Sequence, residues 1–80
     1  MKASHRRVIQ LLLRDGAYIT QVDYSRMWGI KQNGYRQFQY DYVRAATIEE
    51  MRKLGLLEIV VMYSRNTLRP SAQAAREVSE

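Results

Sequence analysis

The chain opens with an apolar stripe at helical spacing. Val8, Ile9, Leu11, Leu12 and Leu13 make a broad face, and Arg6, Arg7, Gln10 and Arg14 fall opposite it. Ser4 is placed to cap a helix beginning at His5, and Gly16 to end it after Asp15. Ala17-Tyr18-Ile19 reads as a short extended piece. Thr20, with Asp23 three residues on, has the form of an N-cap followed by a carboxylate at the positive end of the helix dipole. This predicts a short second helix from Gln21 to Trp28, closed by Gly29, with Ile30 returning to the core. Asn33-Gly34 marks a turn. A long third helix is then expected over 37–54. Tyr40, Val43, Thr47, Met51 and Leu54 recur there at three- and four-residue steps, with Ile48 beside them. On such a helix Phe38, Tyr42 and Ala46 lie nearly opposite the core face, with Tyr35 close to them. Gly55 supplies the stop.

The pattern then changes period. "LLEIVVMY" is rich in β-branched residues and reads as a strand, with Leu57, Ile59, Val61 and Tyr63 on one side and Glu58, Val60 and Met62 on the other. Ser64-Arg65-Asn66 reads as a hairpin turn, Thr67-Leu68-Arg69 as the returning strand, and Pro70-Ser71 as its end. A last short helix is expected over 72–78, with Ala72, Ala75 and Val78 apolar. No internal repeat or low-complexity linker interrupts this order.

Composition narrows the classes. Eighty residues make one domain, expected here over 1–80, and a chain this short buries only roughly 60% of its unfolded surface. The absence of cysteine excludes disulfides and thiolate metal sites. His5 is the one histidine and has no second ligand nearby, so no metal site is expected. No long apolar run suits a membrane span, and the N-terminus lacks the h-region of a signal peptide. The expectation is a soluble cytoplasmic protein. The net charge of +5 is uneven. Residues 1–44 hold eight Lys/Arg against Asp15, Asp23 and Asp41 (8 − 3 = +5), whereas residues 45–80 hold five of each sign. A basic half points to a polyanionic partner.

The order helix, short strand, helix, helix, hairpin, helix resembles the winged helix-turn-helix family of DNA-binding proteins. "VIQLLLRDGAYITQVDYSRMWGI" looks like the family's opening, and "TIEEMRKLGLLEIVVMYSRNTLRPSAQAAREV" is similar to its recognition-helix end, wing and final helix. The resemblance covers nearly the whole chain. It implies a mainly α fold with a small β-hairpin wing, a long third helix in the major groove, and a core framework of Leu12, Ile19, Ile30, Met51, Leu54 and Leu57. This chain departs from the family by about ten extra residues within 31–42, counted against the family's usual spacing.

No catalytic constellation is evident. The serines lack spaced His/Asp partners, Glu49 and Glu50 diverge by about 100° on a helix, and "GIKQNG" lacks the Lys-Ser/Thr of a phosphate loop. No enzyme activity and no cofactor are expected. The candidate contacts are Arg36, Gln37, Gln39 and Arg44 for base edges, Tyr35, Phe38 and Tyr42 for stacking or docking, and Arg26, Lys31 and Arg65 for phosphates. Three readings follow. The first is a small regulator of transcription on double-stranded DNA, of the phage or plasmid kind. The second is a protein-binding inhibitor or adaptor that docks through the aromatic face. The third is a binder of RNA or single strands that stacks bases on Tyr35, Phe38 or Tyr42. A homodimer is expected from the broad first-helix face together with Val60 and Met62.

Overall fold

The computed structural model describes residues 1–22, 26–62 and 65–79, without the side chains of Met62, Arg65 and Asn66. Helix α1 (Ala3–Leu12) leads into strands β1 (Tyr18–Gln21), β2 (Met27–Lys31) and β3 (Asp41–Arg44). Helix α2 (Ala45–Lys53), strands β4 (Leu57–Met62) and β5 (Arg65–Pro70), and helix α3 (Ala72–Ser79) follow. The strands form two antiparallel sheets, β1-β2-β3 and β4-β5. This mixed α/β architecture corrects the mainly α winged-helix expectation. None of the described residues of the expected second helix is helical: Gln21 ends β1, and Met27 and Trp28 begin β2. The proposed cap and carboxylate at Thr20 and Asp23 do not start a helix at Gln21. Thr20 pairs with Gly29 in the sheet, and Asp23 lies outside the described residues.

The long third helix is also corrected. It begins only at Ala45, because residues 41–44 are held in a ladder with β2. Arg44 stays extended (φ −67°, ψ 142°) as the N-terminal flank, and the Ala45 N–H donates to the Arg26 carbonyl at 3.1 Å. A backbone group at the start of β2 thus satisfies one of the helix's orphan donors. The helix ends as Gly55 suggested. Gly55 takes φ +74°, its N–H donates to the Arg52 carbonyl, and the Leu56 N–H donates to the Met51 carbonyl at 2.9 Å. That pair of bonds is a Schellman cap, which glycine permits at no Cβ penalty.

The outer elements match the pattern more closely. Helix α1 starts two residues early because the Lys2 carbonyl already accepts the Arg6 N–H at 2.9 Å, so Ser4 lies inside the helix rather than capping it. The hairpin register pairs Leu57 with Pro70 and Ile59 with Leu68. The expected turn over Ser64-Arg65-Asn66 is corrected in part: Arg65 and Asn66 already belong to β5, paired with Met62 and Val61, and Tyr63 and Ser64 lie outside the described residues. Ser71 caps α3, its Oγ accepting the Ala74 N–H at 3.2 Å.

One apolar core joins these elements. Val8, Ile9, Leu11 and Leu12 from α1 meet Ile19, Ile30 and Val43 from the three-stranded sheet. Ile48 and Met51 from α2, Leu57 and Leu68 from the hairpin, and Ala74 from α3 complete it, with Trp28, Leu56 and Val78 packed at its margin. Each large side chain so buried contributes roughly 1.5–3 kcal/mol. Of the expected framework, Leu54 is corrected: it is 61% exposed, at the end of α2 beyond the core. The α1 face that suggested a dimer is spent on this core, apart from Leu13.

Candidate functional site

Inward and outward positions alternate along each strand of the three-stranded sheet. Ile19, Ile30 and Val43 point to the core. Their neighbours therefore build the opposite, solvent face. Tyr18 stands across from Lys31, Thr20 from Gly29, Gly29 from Tyr42, and Met27 from Arg44. Tyr40, just before β3, completes this surface. Its ring leans on Gly29, where an added Cβ would meet Tyr40 Cδ1 at 2.5 Å. Glycine at this strand position makes room for the ring. Lys31 Nζ lies 5.0 Å from the centre of the Tyr40 ring, a cation–π contact, and the Tyr40 and Tyr42 rings are 5.8 Å apart and tilted by 52°. Tyr18 and Tyr42 are exposed on this face.

The connection between β2 and β3 builds its border. The segment from Gln32 to Tyr40 contains two consecutive turns. In the first, the Tyr35 N–H donates to the Gln32 carbonyl at 3.2 Å and Gly34 has φ +90°. In the second, the Gln39 N–H donates to the Arg36 carbonyl at 3.0 Å and Phe38 has φ +65°. Both are type II in form, with positive φ at the third residue. A side chain in that left-handed region costs roughly 1–2 kcal/mol. Phe38 is nevertheless 77% exposed, so the core returns nothing for its placement.

Side chains brace this loop. The Tyr35 hydroxyl donates to Asp41 Oδ2, and that bond holds the phenol above its ordinary pKa. Gln39 Oε1 accepts the Arg36 N–H at 3.0 Å. At the first turn, Asn33 Nδ2 donates to Asp15 Oδ2 at 3.1 Å and ties the loop to the end of α1.

The sequence-derived candidates divide accordingly. Tyr35 and Gln39 are engaged within the loop. Arg26, Arg36, Gln37, Phe38, Tyr42 and Arg44 are exposed, and Lys31 is half-buried against Tyr40. Among the described residues, Arg26, Lys31, Arg36 and Arg44 form no ion pair with a carboxylate. Arg65 opens β5, and its side chain lies outside the described residues. Tyr18, Tyr40 and Gly29 were missed. Their signal was the two-residue step, visible in Phe38-Gln39-Tyr40-Asp41-Tyr42, which a helical reading separates onto different faces.

The remaining polar clusters have structural partners. Buried His5 places Nε2 3.7 Å from Glu50 Oε1, which also accepts a 2.6 Å bond from Lys2 Nζ. The Lys2 bond is the main cause holding the Glu50 carboxyl below its usual range. Among the described residues no group of His, Asp and Glu could hold a metal ion, and no helix is long and apolar enough to cross a membrane. No family model, curated protein or solved structure matches this chain.

Proposed function

We propose that the protein is a nucleic-acid-binding module that receives a single-stranded segment on the outer face of its three-stranded sheet. The observation that carries this is the coincidence on one surface of Tyr18, Tyr40 and Tyr42 with Lys31 and Arg44, whose charges no carboxylate neutralises among the described residues. A strand has two recognisable parts, flat bases and a charged backbone. Aromatic rings offer stacking surfaces to the first, worth roughly 1–3 kcal/mol per base. Cations meet the second, with release of counterions. A duplex hides its base faces, so the tyrosines would serve it poorly.

The helices offer less. Exposed residues of α2 are Ala46, Glu49, Arg52 and Lys53, a mixed set with a carboxylate in its middle. Helix α1 exposes Arg6 and Arg7, and Arg14 is exposed beyond its end; they supply charge without rings.

Fluorescence anisotropy with labelled oligo-dT, oligo-U and random duplex tests the reading. Single strands should bind more tightly than duplex. With Arg26, Lys31, Arg36 and Arg44 on phosphates, log affinity against log salt should slope at about −3. A Lys31→Ala/Arg44→Ala variant should flatten that slope by about 1.4, and Arg6→Ala/Arg7→Ala should leave most of it. The reverse ranking of the two variants would move the contact to α1 and sink the sheet reading. Preference for one duplex sequence would favour the regulator expected from the resemblance. No binding to any nucleic acid would favour the protein-docking alternative.

A further inference from the structure

We propose that Phe38 is a base-stacking residue, held out at a fixed position by a turn that glycine would form more easily. This inference rests on the single-strand reading just given and deepens it to one residue and one base. The two turns of the 32–40 loop provide the argument. They share a hydrogen-bonding pattern, and their second residues, Asn33 and Gln37, are not in the positive-φ region. At the third position the first turn has Gly34, and open space surrounds the place where a Cβ would stand. That is the usual solution, since glycine takes positive φ without steric penalty. The second turn sets phenylalanine in the same backbone region and turns its ring to solvent. Neither local preference nor burial accounts for it. A bulky residue at positive φ is uncommon, and such strain gathers at binding sites.

The placement is rigid where a binding residue needs it to be. The turn is closed by the Gln39 N–H to the Arg36 carbonyl and by the Arg36 N–H to Gln39 Oε1. The Tyr35–Asp41 bond clamps the loop on either side of the turn, and Tyr40 is seated on Gly29. Less freedom is then lost when the ring meets its partner. The partner's chemistry follows from the charges carried by this loop and by the sheet face it joins. Arg36 is exposed two residues before it, and Lys31 and Arg44 lie on the adjoining sheet face, all without carboxylate partners among the described residues. An exposed apolar ring on the loop that follows a face of uncompensated cations fits an unstacked nucleobase on an anionic backbone. A phenyl ring carries no hydrogen-bonding group, so the contact is tolerant of base identity.

The experiment sets stability against binding. Phe38→Gly should raise the thermal midpoint by a few degrees, because the strain is relieved. It should weaken oligo-dT binding roughly tenfold, the loss expected of one stacked base. Phe38→Trp should bind at least as well as the wild type, and its added indole fluorescence should be quenched by the strand. Unchanged affinity in Phe38→Gly, with wild type binding, overturns the role of Phe38 and leaves the sheet reading standing. Loss of affinity in Phe38→Gly accompanied by a lowered midpoint also overturns it, since the ring would then be holding the loop together. If wild type binds neither oligo-dT nor oligo-U, the underlying reading fails and this inference with it.

Discussion

The two sheets meet solvent in different ways. On the hairpin, Ile59 and Val61 continue the face of buried Leu57 and Leu68 beyond the core and are exposed there, and on the opposite face the charges are matched: Arg69 Nε donates to Glu58 Oε1 at 2.6 Å. On the outer face of the three-stranded sheet the exposed large apolar residues are Tyr18 and Tyr42, and the cations beside them have no acidic partner among the described residues. Scattered aliphatic exposure is ordinary on small proteins. Rings and uncompensated charge of one sign on a single face are the more informative combination. The sheets also differ in how they meet the core. The three-stranded sheet sends in Ile19, Ile30 and Val43, one from each strand, whereas the hairpin enters through Leu57 and Leu68 and then extends away.

The largest expected effect sharpens that difference in depth. Ile30→Ala should cost about 2–5 kcal/mol in urea unfolding, since the side chain is fully buried at the centre of the sheet. Ile59→Ala, on the hairpin, should stay within about 0.5 kcal/mol. Comparable losses at both positions would show that the hairpin face is covered in solution, and sedimentation would then reveal a dimer.

A smaller effect probes the outer face itself. Gly29→Ala places a methyl where Tyr40 Cδ1 lies 2.5 Å away, so the ring must leave its seat. The expected cost is about 1–3 kcal/mol, with a parallel fall in strand affinity by anisotropy. Retained affinity after the ring is displaced would remove Tyr40 from the contact surface.

The smallest effect concerns pH. Glu50 is held below its ordinary pKa of 4.5, first by the Lys2 hydrogen bond. Its contribution is therefore complete above about pH 4.5 and fades as the pH falls through the lowered value. The pair is exposed, so the change is slight. Thermal melts down to acid pH should show a shallower decline for Lys2→Ala than for wild type, and identical declines would assign the acid sensitivity elsewhere.

The hairpin and its flanks were legible because several signals agreed there. The β-branched run, Gly55 and Pro70-Ser71 each bound the elements where the backbone bounds them. The middle of the chain misled for a physical reason. Over 38–44 the apolar positions satisfy two periods, and residues 45–53 continue the helical one with strong helix formers. Tyr40 and Tyr42, expected on opposite faces of a helix, share one face of a sheet. Short segments cannot settle such a conflict by periodicity. The tertiary partner decides it, and here that partner is β2. The same error hid the candidate site, since Tyr18, Tyr40 and Gly29 come together only when the strands pair. Of the residues singled out from sequence, Lys31, Phe38, Tyr42 and Arg44 fall on or beside that surface, while Tyr35 and Gln39 brace it.

Where the two sheets meet, Thr67 Oγ1 donates to the Ile19 carbonyl at 2.7 Å, a side chain standing between β5 and β1 where a ladder of backbone rungs would make one continuous sheet. A junction of this kind lets the hairpin open as its own cooperative unit, ahead of the body. Its amides should therefore exchange with deuterium at a lower free energy than those shared by β2 with its neighbours, and the β1 edge should become accessible with each such opening. The chain should then show two levels of persistence, the slower one in the sheet that carries the tyrosines.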